Sequence, residues 1–178
     1  RQWLNRGQRP KPEPKGELHP KKIMLSVWWD YQGVIYYELL PTNTTITAEV
    51  YCAQLQKLRD ALRTKRPGRE KVYFLHDNAR PHTAKITRDT LSHFRWEVLP
   101  HPAYSPDLAP SDYHLFRSLS NHLRPRRFDD RDHLEHDLLQ FFESKSQTFY
   151  EDGFTVLPRR WQYVVDNNGV YVVDKMIR

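Results

Sequence analysis

Two aspartates in this chain occupy positions that suit metal chemistry. Asp77 lies in the segment His76–His82 (HDNARPH), directly after the apolar run Val72–Leu75, and Asp112 lies in the segment Tyr104–Phe116 (YSPDLAPSDYHLF). The run before Asp77 is typical of a strand, and Asp112 opens a segment with helical spacing. Carboxylates held at the ends of regular elements supply the oxygen ligands that Mg²⁺ and Mn²⁺ prefer. The sequence therefore predicts a site for a hard divalent cation.

Each aspartate also has a simpler interpretation when it is taken alone. Asp77 can be a turn residue at a strand end, and Asp112 can be a helix N-cap, where the helix dipole would keep its carboxylate ionised. Asp30 is a weaker candidate for a further acid, because Gly33 three residues later makes it the first residue of a tight turn. Asp107 is interpreted as a loop or capping residue.

Basic side chains near these acids are candidates for contacts with nucleic acid. Arg124, Arg126 and Arg127 follow the helix that Asp112 begins, and His82 closes the segment around Asp77. Such side chains can bind the phosphates of a nucleic acid, but a run of charges is more often a solvated surface. Both interpretations remain open from the sequence.

The elements that must position these residues alternate between strand and helix. An apolar run before a turn with Asp30 and Gly33, followed by a second apolar run, predicts an antiparallel hairpin. The expected order is strands at 22–29 and 34–40, a helix at 47–63, a strand at 71–75, a helix at 81–95, a strand at 96–99, helices from 112, over 134–149 and over 157–165, and a last strand at 170–173. This order predicts a mixed α/β fold.

Composition limits the class of protein. The 178 residues carry a formal charge of +6 with a pI near 9.4, which favours a polyanionic partner such as DNA. The single cysteine, Cys52, cannot form an internal disulfide and is expected to pack in the core. No apolar run approaches the ~20 residues that a membrane span requires, so no membrane association is expected.

The two acidic segments together, with 34 residues between Asp77 and Asp112, resemble the catalytic domain of the mariner family of DNA transposases. Two further segments resemble the family, Trp96–His101 (WEVLPH) and Leu157–Gln162 (LPRRWQ). The resemblance implies an RNase H-like mixed sheet flanked by helices, with Asp77 as the second catalytic acid and Asp112 as the third. It also implies Mg²⁺ or Mn²⁺, DNA cleavage and strand transfer on transposon ends and target DNA, a homodimer, and a nuclear location.

The chain also departs from the family pattern. In the family, the first catalytic Asp follows a Gly in a string similar to GDEKW, on the central strand of the sheet, and no such string occurs here. We therefore expect residues 1–21 to be the remnant of an extended arm, and residues 22–178 to be a catalytic domain that is incomplete at its N-terminus. Without the central strand, its two neighbours must pair with each other or leave the chain unstable.

Three functions are compatible with the segments that resemble the family and with the missing first acid. The first is a partial transposase catalytic domain that has little or no catalysis alone, because it retains two of three metal ligands. The second is an inactive remnant that acts as a DNA-binding or dimerisation module. The third, a general RNase H-like nuclease acting on RNA–DNA hybrids, is disfavoured by the family segments.

Overall fold

The computed structural model describes residues 23–173, and it begins with the predicted hairpin. Strand β1 (Leu25–Asp30) pairs antiparallel with β2 (Gly33–Leu39), with Val27 opposite Tyr37. The turn between them has the features that Asp30 and Gly33 predicted. The Asp30 carboxylate accepts a hydrogen bond from the Gln32 N–H at 2.9 Å, and Gly33 takes a φ of 124°, which side chains rarely tolerate.

The remaining elements follow the predicted order. After β2 come α1 (Ala48–Lys65), β3 (Tyr73–Phe74), α2 (Arg80–Thr83), α3 (Lys85–His93), β4 (Glu97–Val98), α4 (Arg117–Leu123), α5 (Arg131–Glu143), α6 (Gln147–Thr155) and α7 (Leu157–Asp166). A short 3₁₀ turn at Pro106–Leu108 and a π-helical turn at Ser111–Phe116 precede α4. None of the described helices is long and apolar enough to cross a membrane.

The hairpin lies between two apolar clusters. The first joins it to α1, β3 and α3 through Ile35, Leu55, Leu58, Phe74 and Leu91, and the second joins it to the helices from 111 onward through Leu39, Leu115, Leu138, Phe142 and Tyr150. Trp28 packs against the first cluster, whereas Val27 and Trp29 pack against the second. This alternation is what a strand covered on both faces requires, and it confirms the interpretation of the first apolar run.

A cleft separates the hairpin from the second pair of strands. Strands β3 and β4 pair parallel to each other, and within residues 23–173 neither pairs with β1 or β2. The cleft encloses about 130 Å³ and is lined by Val27 and Trp29 of β1 and by Tyr73 and Phe74 of β3. The two inner strands therefore do not pair with each other. Helix α1 packs across both through the first apolar cluster.

Two predicted helices are each divided in the structure. The helix expected from Pro81 to Arg95 is interrupted at Ala84, whose ψ of 147° is extended, so α2 and α3 are separate helices. The helix expected over 134–149 ends at Glu143. A new helix then begins, in which the Ser146 side chain accepts the Phe149 N–H. Both breaks are local backbone events that the spacing of apolar residues does not reveal.

The last predicted strand, 170–173, is not formed. The backbone N–H of Val172 instead donates to the buried Asp107 carboxylate at 2.8 Å, so this segment is fixed to a side chain and not to a neighbouring strand. The expected arm at residues 1–21 lies outside the described residues.

Candidate metal and nucleic-acid site

The structure brings Asp77 and Asp112 to the walls of the same cavities. One cavity of about 410 Å³ is lined by both aspartates together with Arg80, His101 and Tyr104. A second, of about 280 Å³, also contains both aspartates. Burial raises the pKa of Asp112, and the negative charge of Asp77 raises it further. The two aspartates therefore share one space, and their binding of a metal ion stays a prediction.

Asp77 is held in a fixed orientation by its own loop. Its Oδ1 accepts the Ala79 N–H at 3.0 Å and lies 2.6 Å from His82 Nδ1. Partial burial raises the pKa of Asp77, but the hydrogen bonds from Ala79 and His82 lower it more, and the net shift is downward. The side chain is 64% exposed, so the carboxylate remains charged and open to a ligand.

The imidazole of His82, which contacts the Asp77 carboxylate, is itself packed against two other rings. The His82 ring lies 4.1 Å from the Tyr51 ring of α1 and 5.1 Å from the His76 ring, measured between centroids. The Tyr51 hydroxyl and His76 Nδ1 are 3.1 Å apart. Burial, followed by the nearby His82, lowers the pKa of His76 to about 4, so His76 is neutral near pH 7. The stack fixes the ring of His82, which in turn orients Asp77.

Asp112 sits in an unusual turn. It belongs to the π-helical segment Ser111–Phe116, which follows Pro110, and its N–H donates to Ala109 O at 2.9 Å. π-helical turns are rare in proteins, and those that occur are frequently found at functional sites. Burial raises the pKa of Asp112, and the Asp77 charge raises it further, while His101 opposes them. The opposite influence expected of the helix dipole, which would keep the Asp112 carboxylate ionised, stays a prediction.

The two acidic loops are tied to each other and to the core. Asn78 Nδ2 donates to His101 O at 2.8 Å, which joins the Asp77 loop to the loop before Asp112. Trp29 Nε1 of β1 donates to Ser111 Oγ at 3.0 Å, one residue before Asp112. The relative position of the carboxylates is therefore fixed by one hydrogen bond between the two loops and one from β1.

Asp30, the weaker candidate for a further acid, serves the fold. Asp30 is buried and accepts hydrogen bonds from Arg66 Nε at 3.0 Å and from Arg69 at 2.8 Å. Burial raises the pKa of Asp30, but the bonds from Arg66 and the Gln32 N–H, with both arginine charges, lower it more. Both carboxylate oxygens of Asp30 are occupied by Arg66 and Arg69, and its bond to the Gln32 N–H is the turn contact expected for it.

The predicted phosphate-binding arginines differ in their surroundings. Arg126 is ion-paired with Asp137 of α5, a buried carboxylate that also lies 2.9 Å from His122 Nε2. Arg124 and Arg127 are exposed in the segment between α4 and α5. None of the three lines the cavities of Asp77 and Asp112. Their contact with DNA, like that of His82, stays a prediction.

Comparison with known proteins identifies the family. A family model described as "Transposase (partial DDE domain)" matches residues 1–72. The mariner Mos1 transposase of Drosophila mauritiana is 51% identical over 156 residues, which are 85% of this chain and 45% of that protein. The solved structure of the Mos1 transposase catalytic domain with raltegravir and Mn superposes with a TM-score of 0.84 at 50% identity, covering 86% of this chain and 78% of that one. The chain belongs to the mariner transposase family.

A larger mariner assembly matches equally well. The Mos1 mariner paired-end complex with Mn superposes with a TM-score of 0.86 at 47% identity, covering 97% of this chain and 51% of that chain. These matches confirm the predicted RNase H-like α/β fold. The chain spans 45% of the length of the Mos1 transposase itself.

Asp77 and Asp112 of this mariner chain are donors of the kind that a divalent metal ion takes. Among residues 23–173, no group of three His, Cys, Asp or Glu side chains comes together as a ligand set. Two carboxylates that share a cavity are nevertheless a suitable donor pair, since Mg²⁺ is often bound by one or two carboxylates, with water and substrate phosphates completing its shell. The donor pair fits one such ion and leaves a pair of ions short of ligands.

Gly153 is a residue of the site that the sequence analysis missed. A Cβ at this position of α6 would lie 2.6 Å from Cη2 of Trp29 and 3.0 Å from Cδ2 of His114. The Gly153 carbonyl also accepts a hydrogen bond from the Tyr113 hydroxyl at 2.7 Å. The close approach lets Trp29 reach Ser111 beside Asp112. The available signal was a glycine inside a helix, where it costs ~1 kcal/mol relative to Ala.

Proposed function

We propose that this chain is part of the catalytic domain of a mariner transposase, and that Asp77 and Asp112 are two of the ligands of its divalent metal ions. The reaction is cleavage of DNA followed by strand transfer to target DNA. The observation that carries the proposal is that two aspartates, with 34 residues between them in sequence, line one cavity of about 410 Å³. The metal is Mg²⁺ or Mn²⁺, because the donors are carboxylate oxygens.

The metal chemistry is that of phosphoryl transfer. Asp77 and Asp112 would hold such an ion, which would supply activation of the attacking oxygen and stabilisation of the leaving oxygen. The role of this chain is to hold the two carboxylates. His82 and the Ala79 N–H fix Asp77 from one side and leave it exposed on the other. Asp112 carries a raised pKa and therefore holds its proton more readily than a free aspartate does.

A third carboxylate is needed for two ions, and we propose that a further strand supplies it. The cleft between β1 and β3 is the place for such a strand, since both walls are strands with an edge directed towards it. The same cleft reaches Pro110 and Ser111, directly before Asp112. A strand in this cleft would bring its carboxylate next to the existing pair. The described residues alone are therefore expected to bind metal and DNA without cleaving DNA.

The proposed partner is DNA, with a second copy of the protein and a nuclear location. A net charge of +6 supports a polyanion, and the exposed Arg124 and Arg127 are suited to phosphates. The relative of known structure is described as a paired-end complex, which supports an assembly that holds two DNA ends.

A cleavage assay on labelled duplex DNA tests the proposal. The chain is compared with a second form joined at its N-terminus to a strand that carries the family string with the first Asp. We expect both forms to bind DNA with a strong dependence on salt, and only the joined form to cleave it with Mn²⁺. Asp77→Asn and Asp112→Asn in the joined form should abolish cleavage and leave DNA binding intact.

Two results of this assay would oppose the proposal. Cleavage by the chain alone that is lost in Asp77→Asn would show that no third acid is required. DNA binding by a folded joined form that never cleaves would favour the alternative, an inactive module for DNA binding or dimerisation.

A further inference from the structure

The second half of α1 and the loop that follows it carry a pocket of arginines. A cavity of about 240 Å³ lies there, with Val72, directly before β3, in its wall and Glu70 as its one acid. Neither Asp77 nor Asp112 lines it. Four arginines do, and we call this cavity the arginine pocket: Arg59, Arg63, Arg66 and Arg69.

Two of these arginines have a role in the fold. Arg66 and Arg69 each form an ion pair with the Asp30 carboxylate at 2.8 Å, beneath the turn of the hairpin. Arg66 also donates to the carbonyl of Gly33 at 3.5 Å. These contacts account for both side chains, so their presence in the arginine pocket requires no ligand.

Arg59 and Arg63 are not accounted for in this way. Within residues 23–173, no ion pair includes either side chain. The guanidinium of Arg59 is held over the ring of Phe94, 4.6 Å from its centroid, and its Nε is buried without a hydrogen-bond partner among the described residues. A buried donor that lacks an acceptor costs free energy. Arg59 therefore lacks an acceptor in the protein alone.

The spacing of the two arginines adds a second cost. Arg59 and Arg63 lie four residues apart in α1, so they share one face of the helix, where like charges repel. The negative end of the helix dipole favours a cation in the last turn, which explains part of the position of Arg63. This effect fades within one turn and does not reach Arg59. An anion bound between the two guanidinium groups would remove the repulsion and supply the missing acceptor.

The chemistry of the arginine pocket favours a phosphate. A guanidinium presents N–H donors in a planar fork that matches the oxygens of a phosphate. Phe94 and Trp96 also line the pocket, so its cations lie beside aromatic rings, a combination found on surfaces that bind nucleic acid. The charge of +6 on the chain favours a polyanion.

The location of the arginine pocket separates it from the acidic pair. Val72 lies before β3 and Asp77 lies after it, so the two Cα atoms are at most ~18 Å apart. One helical turn of duplex DNA spans ~34 Å, so one duplex can supply phosphates to both places. A phosphate in the arginine pocket would belong to a different nucleotide from one at the aspartates.

We propose that Arg59 and Arg63 form a binding site for a backbone phosphate of DNA, distinct from the acidic pair. Arg59 supplies a guanidinium that Phe94 already holds in place, and Arg63 supplies an exposed one on the same helix face. A phosphate contact carries no base information, so the site adds affinity without sequence specificity. It requires no metal ion, and it goes beyond the proposed function of Asp77 and Asp112.

The salt dependence of DNA binding tests the proposal. Binding of the chain to a short fluorescent duplex is followed by anisotropy over a series of NaCl concentrations, with a chelator present. Arg63→Gln should reduce the salt slope by ~1 and the Arg59→Gln/Arg63→Gln variant by ~2, with affinity at ~50 mM salt weakened about tenfold for each side chain lost. Arg63→Lys should keep the wild-type slope, because it retains the charge.

Matched variants separate a phosphate contact from other effects. Arg88→Gln removes an exposed arginine of α3 that does not line the arginine pocket and should leave the slope unchanged. Arg63→Gln removes a like charge from α1, so its melting temperature at low salt should equal or exceed that of the wild type. Arg63→Glu alters only an exposed position and should reduce the slope more than Arg63→Gln does, which tests the site even if Arg59→Gln loses its packing on Phe94.

Three results would overturn the proposal. The first is a wild-type slope in both Arg63→Gln and Arg63→Glu. The second is an equal loss of slope in Arg88→Gln, which would show a diffuse effect of net charge. The third is a site for small anions only, in which inorganic phosphate raises the melting temperature of the wild type and not of Arg63→Gln while the DNA slope is the same in both.

The outcome is independent of the metal site. Asp77→Asn should show the same loss of slope as the wild type when Arg63→Gln is added to it. If Mn²⁺ binding is indifferent to Asp77 and Asp112 but the slope depends on Arg63, the phosphate site stands and the metal site is wrong. The reverse pattern would leave the metal site intact and refute the phosphate site.

Discussion

Replacing Gly153 by Ala should destabilise the protein, although the same change stabilises most helices. In α6 the new Cβ would lie 2.6 Å from Trp29 Cη2, 3.2 Å from Trp29 Cζ3 and 3.0 Å from His114 Cδ2. These atoms belong to rigid rings, and Trp29 is also in contact with Phe154 and hydrogen-bonded to Ser111. The rings must therefore move as units, or the helix must shift away from the hairpin.

The change in the free energy of unfolding is the sum of two destabilising contributions and one stabilising contribution. Overpacking of a filled site costs ~1–3 kcal/mol. Loss of the Trp29–Ser111 hydrogen bond adds ~0.5–1.5 kcal/mol, and the better helix propensity of Ala returns ~1 kcal/mol. The net loss is about 0.5–3.5 kcal/mol, which lowers the melting temperature by roughly 2–4 °C for each kcal/mol in a chain of this size.

Urea unfolding of the wild type, Gly153→Ala, Trp29→Phe and the double variant measures this cost as a cycle. Phe lacks the ring atoms closest to Gly153, so Trp29→Phe should reduce the cost of the Ala substitution, with a coupling of about 0.5–3 kcal/mol. A Gly153→Ala protein about 1 kcal/mol more stable than the wild type would show helix propensity without a clash, and would refute the packing argument.

Three further predictions concern charged residues and the cavity. Asp30→Asn should lower stability by about 2–4 kcal/mol at pH 7, because it leaves Arg66 and Arg69 partly buried without a charge partner. Since folding lowers the pKa of Asp30, this stability is present above the unfolded pKa of ~3.9 and is lost as the pH falls through the folded value, so thermal melts of the two proteins should stay apart at pH 6 and converge as the pH falls below the folded pKa. Arg126→Gln should lower the free energy of urea unfolding by about 1–2 kcal/mol, because it removes the arginine partner of the buried Asp137 carboxylate. Arg124→Gln should leave stability unchanged and reduce the salt slope of DNA binding by ~1. A loss of stability in Arg124→Gln without one in Arg126→Gln would contradict these two roles. His82→Phe should keep the ring stack on Tyr51 but weaken Mn²⁺ binding by about tenfold, and an unchanged affinity would show that His82 does not orient Asp77.

Much of the fold was accessible from the sequence because its signals are local. The Asp30–Gly33 turn specifies the hairpin, and apolar residues at helical spacing specify α1, whose Leu55 and Leu58 are buried as that spacing requires. The positions of the acidic pair were also accessible, since Asp77 follows a strand, as predicted, and Asp112 lies at the start of the helical segment that leads into α4.

The parts that could not be predicted depend on contacts distant in sequence. The segment 170–173 looks like a strand because of its β-branched residues, but Val172 is fixed by Asp107, which lies 65 residues earlier. The raised pKa of Asp112 depends on burial and on the charge of Asp77, and the spacing of the two residues gives neither. The break at Ala84 follows from an extended ψ that alanine does not signal.

The measurement that tests the central claim most directly is a titration of Mn²⁺ binding. Binding is monitored by electron paramagnetic resonance as the loss of the signal of free Mn²⁺. The wild-type chain should bind Mn²⁺, Asp77→Asn and Asp112→Asn should each weaken binding by about tenfold or more, and the double variant should bind none at the site. Asp129→Asn, an exposed aspartate after α4, serves as the matched control and should bind like the wild type. Wild-type affinity in both single variants and in the double variant would contradict the claim that these two aspartates are metal ligands.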